Sequence, residues 1–202
     1  NSLAYRAFFA LPESIATSTG QPTNAIFGFA SMLVKILTDY GPKATVVVWD
    51  AGSSGRKEVY PEYKAQRTSR PDLLKEQWPH LEPLVDAFGY RNVSVEGYEA
   101  DDVIASLAER AKAQGVPVMI VTGDRDAYQL VDGGVRIMTT SRGITDTRVY
   151  DRAGVIGDRE RLGGCDGPAG ERWLGRRGRW RAHPPSLIRR RAGAPACRSS
   201  RR

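Results

Sequence analysis

Two groups of acidic residues stand out because of their spacing and the segments that precede them. Glu99, Asp101 and Asp102 open GYEADDVIASLAERA, while Asp124 and Asp126 follow the apolar run VMIV. Each group lies where a strand-like segment gives way to a helix-like one, which is where open α/β sheets place their binding crevice. Five carboxylates gathered there would repel one another unless cations lay between them. The sequence therefore predicts a divalent-metal site suited to phosphate esters.

Helix capping is the alternative explanation for both acidic groups. Glu99 and Asp102 share a helix face, and carboxylates in a first helical turn are favoured by capping and by the helix dipole. Asp124 can cap a short helix over 126–131, although this role leaves Asp126 unexplained. Capping accounts for one or two acids in each group rather than for the whole set.

A further aspartate, Asp50, closes the β-branched run ATVVVWD. If the strands predicted over 44–50 and 117–122 are neighbours, Asp50 lies on the same rim as the other acids; alone, it fits a turn residue before Gly52. Oxygen ligands without histidine or cysteine favour Mg²⁺ or Mn²⁺ over zinc. Two such ions could clamp a phosphodiester between the attacking and leaving oxygens.

Strand-like and helix-like segments alternate along most of the chain. Periodicity predicts helices over 24–40, 72–88 and 100–114, strands over 44–50, 93–95 and 117–122, and short edge strands over 134–139 and 147–150. The dipeptide Gly41-Pro42 is a terminator for the first of these helices. This order predicts one α/β domain over 1–156, with a mostly parallel central sheet flanked by helices.

The charge is distributed unevenly along the sequence. Residues 1–156 hold 17 Lys and Arg against 19 Asp and Glu, whereas 157–202 hold 13 arginines against 4 acids. The basic tail, rich in arginine and glycine and free of lysine, has the composition of a GC-rich gene read in the wrong frame; a disordered basic arm that binds nucleic acid is the alternative. The sequence shows no membrane span, secretory leader or disulfide framework, so we expect a cytoplasmic protein.

A basic and aromatic segment over 53–71 supplies groups that suit a nucleic-acid strand. Cations there alternate with rings on which bases could stack, whereas a solvated loop is the alternative reading of the same composition. The residues concerned are Arg56, Lys57, Tyr60, Tyr63, Lys64, Arg67 and Arg70.

The segments AYRAF, VVVWDA, YPEYKAQR, GYEADDVIASLA and VTGDRDAYQLV, in this order and spacing, resemble the 5′→3′ exonuclease domain of bacterial DNA polymerase I, a member of the flap-endonuclease family. The match covers about residues 2–156. The resemblance implies a PIN-like or resolvase-like fold with metals at the strand ends. It also implies metal-dependent hydrolysis at the 5′ ends or flaps of DNA, and of RNA primers where they occur.

The resemblance also assigns roles to single residues. Arg56 and Lys64 would hold the scissile phosphate as catalytic residues, and Tyr63 and Arg67 would bind DNA with them in an arch that receives the 5′ end. Arg6 matches the DNA-binding arginine of the opening AYR segment. The metal-site carboxylates would be Asp50, Glu99, Asp101, Asp102, Asp124 and Asp126, holding two Mg²⁺ or Mn²⁺ ions.

The sequence departs from the family pattern at both ends. The family's opening strand with its aspartate does not precede Asn1, and residues 157–202 contain neither the Gly-Asp-x-Ser-Asp-Asn motif nor the helix-hairpin-helix element that follows it. We therefore expect a monomer that is marginally stable and weakly active or inactive, in a gene that could also encode a polymerase domain. The alternatives are a non-catalytic DNA-binding remnant and another carboxylate-rich metal-dependent nuclease or phosphatase.

Overall fold

The computed structural model describes residues 1–51, 62, 69–144 and 146–161, with the backbone alone at 141, 142 and 158–161. The helices are Ser2–Ala10 (α1), Asn24–Tyr40 (α2), Asp72–Gln77 (α3), Leu81–Ala87 (α4), Ala100–Ala113 (α5) and Arg152–Arg161 (α6), with 3₁₀ turns at Trp78–His80 and Arg125–Leu130. The strands are Val46–Val48 (β1), Arg91–Val93 (β2), Val118–Val121 (β3), Val135–Arg142 (β4) and Asp146–Tyr150 (β5). In the described part of the chain, none of the helices combines the length and apolar character needed to cross a bilayer.

The strands form two sheets in which parallel pairing predominates. β1 pairs with β2 in parallel, with Val46 opposite Arg91. β3 pairs with β4 in parallel, and β4 pairs with β5 in the antiparallel sense. The predicted α/β class is therefore confirmed, but the described ladders are divided into β1-β2 and β3-β4-β5 rather than joined through β1 and β3.

Several predicted elements need correction. The segment 134–139 belongs to β4, which is the central strand of its sheet and not an edge strand, because β3 and β5 flank it. The strand predicted over 93–95 lies two residues earlier, where the chain pairs with β1, and the Val95 carbonyl instead accepts from the Tyr98 N–H in a turn. The predicted helix over 72–88 is interrupted by a 3₁₀ turn that contains Pro79. α6 also extends past residue 157, into the segment predicted to be irregular.

α2 begins and ends as its sequence predicts. Its apolar residues recur at helical spacing, and Phe29, Met32 and Leu33 are buried. The helix ends at Gly41, which adopts a left-handed conformation with φ of 49° and donates its N–H to the Leu37 carbonyl. Glycine adopts this conformation without the steric cost of a side chain. α2 is therefore held in place by its buried face and stopped by its C-cap.

The main core lies between α1, α2, α4 and β1. Trp49 is 4% exposed and contacts the Phe29 ring, with centroids 6.0 Å apart. Its indole Nε1 donates to Asn92 Oδ1 at 2.7 Å, which ties the end of β1 to β2. The core members are Ala4, Ala7, Phe29, Met32, Leu33, Trp49, Leu81 and Val85. A second cluster of Ala108, Ile120, Val135 and Ile137 packs α5 on the other sheet.

Gln77 lies at the centre of a buried polar network that joins α3 to α2. Its Oε1 accepts from the backbone N–H of Ala25 at 2.8 Å and of Ile26 at 3.3 Å. Its Nε2 donates to Asn24 Oδ1 at 2.9 Å and to the Leu73 carbonyl at 3.0 Å. The N-terminal N–H groups of a helix have no partners within the helix, so the Gln77 side chain satisfies two of those of α2.

Asn24 extends this network to α1. Its Nδ2 donates to the Phe8 carbonyl at 3.0 Å and to the Leu11 carbonyl at 3.3 Å, both at the C-terminal end of α1. Asn24 is fully buried, so each of these bonds replaces a bond to water. One pair of amide side chains therefore fixes the mutual positions of α1, α2 and α3.

The crossing of α1 over α2 requires a residue without a side chain at Gly28. A Cβ atom there would lie 2.9 Å from both Ala7 Cβ and Leu11 Cδ1. We expect Gly28→Ala to lower the free energy of unfolding, because overpacking costs about 1–3 kcal/mol and outweighs the helix-propensity gain of about 1 kcal/mol. Urea unfolding followed by circular dichroism measures the change.

The matched control for this substitution is Gly157→Ala in α6. A Cβ atom at Gly157 meets nothing within 4 Å, so the propensity gain is unopposed there and stability is expected to hold or rise. A Gly28→Ala variant as stable as the parent chain would show that the helices can separate at no cost.

Candidate active site

The start of α1 lies between the carboxyl ends of β1 and β3. Asn1 Nδ2 donates to Asp50 Oδ2 just beyond β1. Ser2 Oγ lies 3.2 Å from Thr122 Oγ1, and it accepts from the Gly123 N–H at 3.2 Å just beyond β3. Two adjacent residues therefore connect the carboxyl ends of both parallel ladders. The carboxyl ends of parallel strands form the edge at which α/β folds bind ligands.

The N-terminus of α5 faces the same location. The Ala100 N–H donates to Asp50 Oδ1 at 2.8 Å, so Asp50 accepts one of the unpaired N–H groups of that helix. Asp50 is thus placed by α1 on one side and by α5 on the other. The partial positive charge of a helix N-terminus favours a carboxylate at this point.

The capping role suggested for the first acidic group is confirmed for two of its members. Glu99 and Asp102 form a reciprocal capping box at the start of α5, in which Asp102 Oδ2 accepts from the Glu99 N–H at 3.2 Å. Glu99 is buried, with 9% of its surface exposed. Asp101, between them, is exposed and takes no part in the box. Capping therefore does not explain the presence of Asp101.

In the second acidic group, capping again explains one residue. Asp124 Oδ1 accepts from the Asp126 N–H at 2.9 Å and so caps the 3₁₀ turn that follows. The Asp124 N–H in turn donates to Thr122 Oγ1 at 3.1 Å. Asp126 is exposed in the first turn, and its contact with Asp124 runs through its backbone. The position of Asp124 is fixed by the turn after β3.

The amino group of Asn1 reports the electrostatics of this location. Burial lowers the pKa of that group, whereas the nearby carboxylates of Asp50 and Asp101 act to raise it. Asp50 and Asp101 therefore both act on one point at the start of α1. These two carboxylates favour a cation at that point, whereas burial and the positive charge of Arg70 oppose one.

The side chains around this point have the donor chemistry of a hard divalent cation. They are carboxylates, hydroxyls and an amide, without thiol or imidazole, which suits Mg²⁺ or Mn²⁺. Across residues 1–51, 62, 69–144 and 146–161, however, no three Asp, Glu, His or Cys side chains stand close enough together to hold a metal ion. The six-carboxylate metal set stays a prediction, supported by donor type and by the shared position of Asp50 and Asp101.

Arg6 fixes α1 to the turn between β4 and β5. Its Nε donates to the Gly143 carbonyl at 3.1 Å and its Nη2 to the Thr140 carbonyl at 3.2 Å. These bonds give the arginine a structural role, and its predicted contact with DNA stays a prediction. The predicted arch residues Arg56, Tyr63, Lys64 and Arg67 lie outside the described residues.

Three polar residues of the site were missed by sequence reasoning, namely Asn1, Ser2 and Thr122. Thr122 had a signal, because it stands between an apolar strand and the Gly-Asp turn, at the carboxyl end of β3. Asn1 and Ser2 had none, since their partners lie 49 and 120 residues away.

Comparison with known proteins identifies the family of this chain. The family model for the 5′-3′ exonuclease N-terminal resolvase-like domain matches residues 1–159. DNA polymerase I of Chloroflexus aurantiacus is 44% identical over 154 residues, which are 75% of this chain and 16% of that protein. The thermostable DNA polymerase I of Thermus thermophilus is 47% identical over 137 residues, or 67% of this chain and 16% of that protein. The chain thus spans about a sixth of the length of these relatives.

Solved structures with the same fold include proteins of bacteriophage T5. The T5 D15 protein co-crystallised with metal ions has a TM-score of 0.60 at 19% identity, covering 79% of this chain and 58% of that one. A T5 D15 flap endonuclease complex with DNA and metal ions has a TM-score of 0.57 at 20% identity, with the same coverage. At this level of identity the match is one of fold.

Proposed function

Because this chain belongs to the family of N-terminal resolvase-like domains of 5′-3′ exonucleases, we propose that it hydrolyses phosphodiester bonds at the 5′ ends or 5′ flaps of DNA. The observation that carries the proposal is the meeting of β1, β3 and the N-terminus of α5 at the start of α1. Asp50 and Asp101 act on one point there, and Asp124 caps the 3₁₀ turn that follows β3 in the other sheet. This is the edge of an α/β sheet at which carboxylates serve phosphate chemistry.

The proposed cofactor is Mg²⁺ or Mn²⁺, with two ions per site. The residues that would hold these ions are Asp50, Glu99, Asp101, Asp102, Asp124 and Asp126. Bound divalent cations would supply Lewis-acid stabilisation of the phosphate and a more acidic water for the attack. Asp50 and Asp124 are already oriented by backbone N–H donors.

The proposed substrate is DNA with a free 5′ end or a 5′ flap. RNA primer segments at such 5′ ends are also proposed as substrates. The basic segment with Arg56, Tyr63, Lys64 and Arg67 would receive the single strand, and Arg56 and Lys64 would hold the scissile phosphate. We further propose that the protein is a cytoplasmic monomer. We also propose that its parent gene encodes a polymerase domain after this one. The much greater length of the DNA polymerase I relatives supports that last point.

A second candidate is a DNA-binding remnant without catalysis. The 13 arginines of residues 157–202 favour it, because dense positive charge binds nucleic acid without any active site. The capping roles of Glu99, Asp102 and Asp124 also give those carboxylates a purpose that needs no metal. The two candidates differ in what removal of metal and removal of the tail would do.

Metal removal and tail removal form one experiment. We expect the full chain to cleave a labelled 5′-flap DNA in Mg²⁺, and excess EDTA to stop cleavage completely. A chain ending at Arg161 is expected to bind DNA less tightly and to retain metal-dependent cleavage, because the proposed site lies within residues 1–126. Gel analysis of products and fluorescence anisotropy measure the two properties.

The opposite pattern would support the remnant. In that case no cleavage appears in any metal, and binding collapses once residues 162–202 are removed. Cleavage that persists in EDTA would contradict both candidates.

A further inference from the structure

Arg70 stacks on an aromatic ring beside the proposed active site. Its guanidinium carbon lies 3.4 Å from the centroid of the Trp78 ring. Trp78 in turn meets Trp49 edge-on, with centroids 5.9 Å apart, and Trp49 immediately precedes Asp50. Two rings therefore separate the guanidinium from the carboxyl end of β1.

A second observation places Arg70 near the same point. The positive charge of Arg70 acts to lower the pKa of the Asn1 amino group, on which Asp50 and Asp101 act in the opposite direction. Arg70 thus lies within electrostatic range of the start of α1. It also stands at the end of the basic segment over 53–71, directly before Pro71 and α3.

Arg70 has a buried donor that none of the described residues accepts. Its Nε is buried and has no hydrogen-bond partner, and among the described residues Arg70 forms no ion pair with a carboxylate. A buried donor left unpaired costs about 1–3 kcal/mol, so native structures rarely keep one without a ligand or water. Stacking on Trp78 fixes the guanidinium plane, and a fixed guanidinium plane presents its N–H groups as a fork that matches phosphate.

We infer that Arg70 is a phosphate-binding residue of this site, whose stacked guanidinium donates to a phosphate oxygen of the nucleic-acid strand as the strand approaches the acidic edge. The inference rests on the proposed function for its substrate. A strand that nears Asp50 and Asp101 meets repulsion from both carboxylates, and a cation held beside them offsets it. The ligand chemistry is a phosphate oxyanion, supplied either by a terminal 5′-phosphate or by an internal phosphodiester.

The test measures binding without catalysis, in EDTA, by fluorescence anisotropy of a single-stranded oligonucleotide across a salt series. One oligonucleotide carries a 5′-phosphate and the other a 5′-hydroxyl. The variants are Arg70→Met, Arg70→Gln and Arg70→Lys. The matched control is Arg91→Met, which removes an exposed arginine at the amino end of β2, opposite the proposed site.

For Arg70→Met we expect about tenfold weaker binding at low salt, the effect of one charge-assisted hydrogen bond. The slope of log Kobs against log salt should become shallower by about 0.7, the value for one phosphate contact on a single strand. Arg70→Lys should keep the parental slope but bind more weakly, because lysine has no fork. A loss confined to the 5′-phosphorylated oligonucleotide identifies the terminal phosphate as the ligand, and equal losses identify an internal phosphodiester.

Other outcomes would overturn the inference. An Arg70→Met variant that unfolds at a lower temperature but keeps the parental slope would make Arg70 structural only, and an equal change of slope in Arg91→Met would make the effect one of general charge. If Arg70→Met does not fold, Arg70→Gln, which keeps a side chain long enough to cover Trp78, decides the same point. If the parent binds and cleaves DNA and the Arg70 variants bind it with the parental affinity and salt slope, the inference about Arg70 alone is refuted. If the parent does not bind DNA, the proposed function is refuted as well.

Discussion

Replacing Asp124 and Asp126 together by alanine is expected to abolish Mg²⁺-dependent cleavage of a 5′-flap DNA, with a fall in rate of at least about a thousandfold. Such a fall corresponds to about 4 kcal/mol of activation free energy, which is the scale of losing metal-based stabilisation of a phosphoryl transition state. The reason is that both carboxylates follow β3 at the edge where Asp50 follows β1. Single-turnover cleavage of a labelled flap measures the rate.

Loss of the cap must be separated from loss of a metal ligand. Asp124 caps the 3₁₀ turn, so its removal alone costs about 0.5–2 kcal/mol of stability. Asp151 provides the matched control, because its Oδ1 accepts from the Gly154 N–H at 2.8 Å in a similar cap at the start of α6. Asp151→Ala should lose comparable stability and retain cleavage. Robust cleavage by the Asp124 and Asp126 double variant would remove both residues from the metal assignment.

Gln77→Ala is expected to lower stability about as much as truncation of a large buried side chain. The substitution leaves the Ala25 and Ile26 N–H groups and Asn24 Oδ1 buried without a partner. Each unsatisfied buried group costs about 1–3 kcal/mol, and some relax toward water, so we expect a loss of about 3–5 kcal/mol. For a chain of this size that loss lowers the melting temperature by about 6–20 °C. Urea unfolding and thermal circular dichroism measure both quantities.

Gln129→Ala is the matched control for this network. Gln129 is exposed in the 3₁₀ turn after β3, so its truncation should change stability by no more than about 0.5 kcal/mol. A Gln77→Ala variant that loses less than about 1 kcal/mol would mean that water replaces the network at little cost. The contacts of Gln77 with α2 would then fix the relative positions of the helices but add little to the free energy of unfolding.

Much of the fold follows from local patterns in the sequence. The spacing of Phe29, Met32 and Leu33 predicts α2, and Gly41 predicts its end, because both depend only on neighbouring residues. The prediction of an edge strand over 134–139 was wrong, because strand order depends on partners that no local pattern specifies. The roles of Asn24 and Gln77 were not foreseen either. Polar residues near helix ends usually face water, and the bond between these two joins positions 53 residues apart.

The candidate site shows the same division. The location of Asp50, Asp101 and Asp124 at strand and helix ends could be predicted, because parallel strands bring their carboxyl ends to one edge. The capping alternatives for Glu99 and Asp124 could also be stated in advance, since both follow from residue type and position. The junction made by Asn1 and Ser2 could not, because it arises from how α1 packs between the two sheets.

The position of α1 has a consequence for the spacing of the acidic residues. The first residues of α1 contact the ends of β1 and β3, and Arg6 of α1 donates a hydrogen bond to the turn after β4. α1 therefore lies between two sheets that share no described ladder, and together with α5 it holds Asp50 in place beside the end of β3. The position of α1 on α2 is fixed by the close crossing at Gly28 and by the hydrogen bond from Asn24 Nδ2 to the Phe8 carbonyl. A substitution at this crossing is therefore expected to shift the acidic edge, although the residues that form the crossing carry no charge.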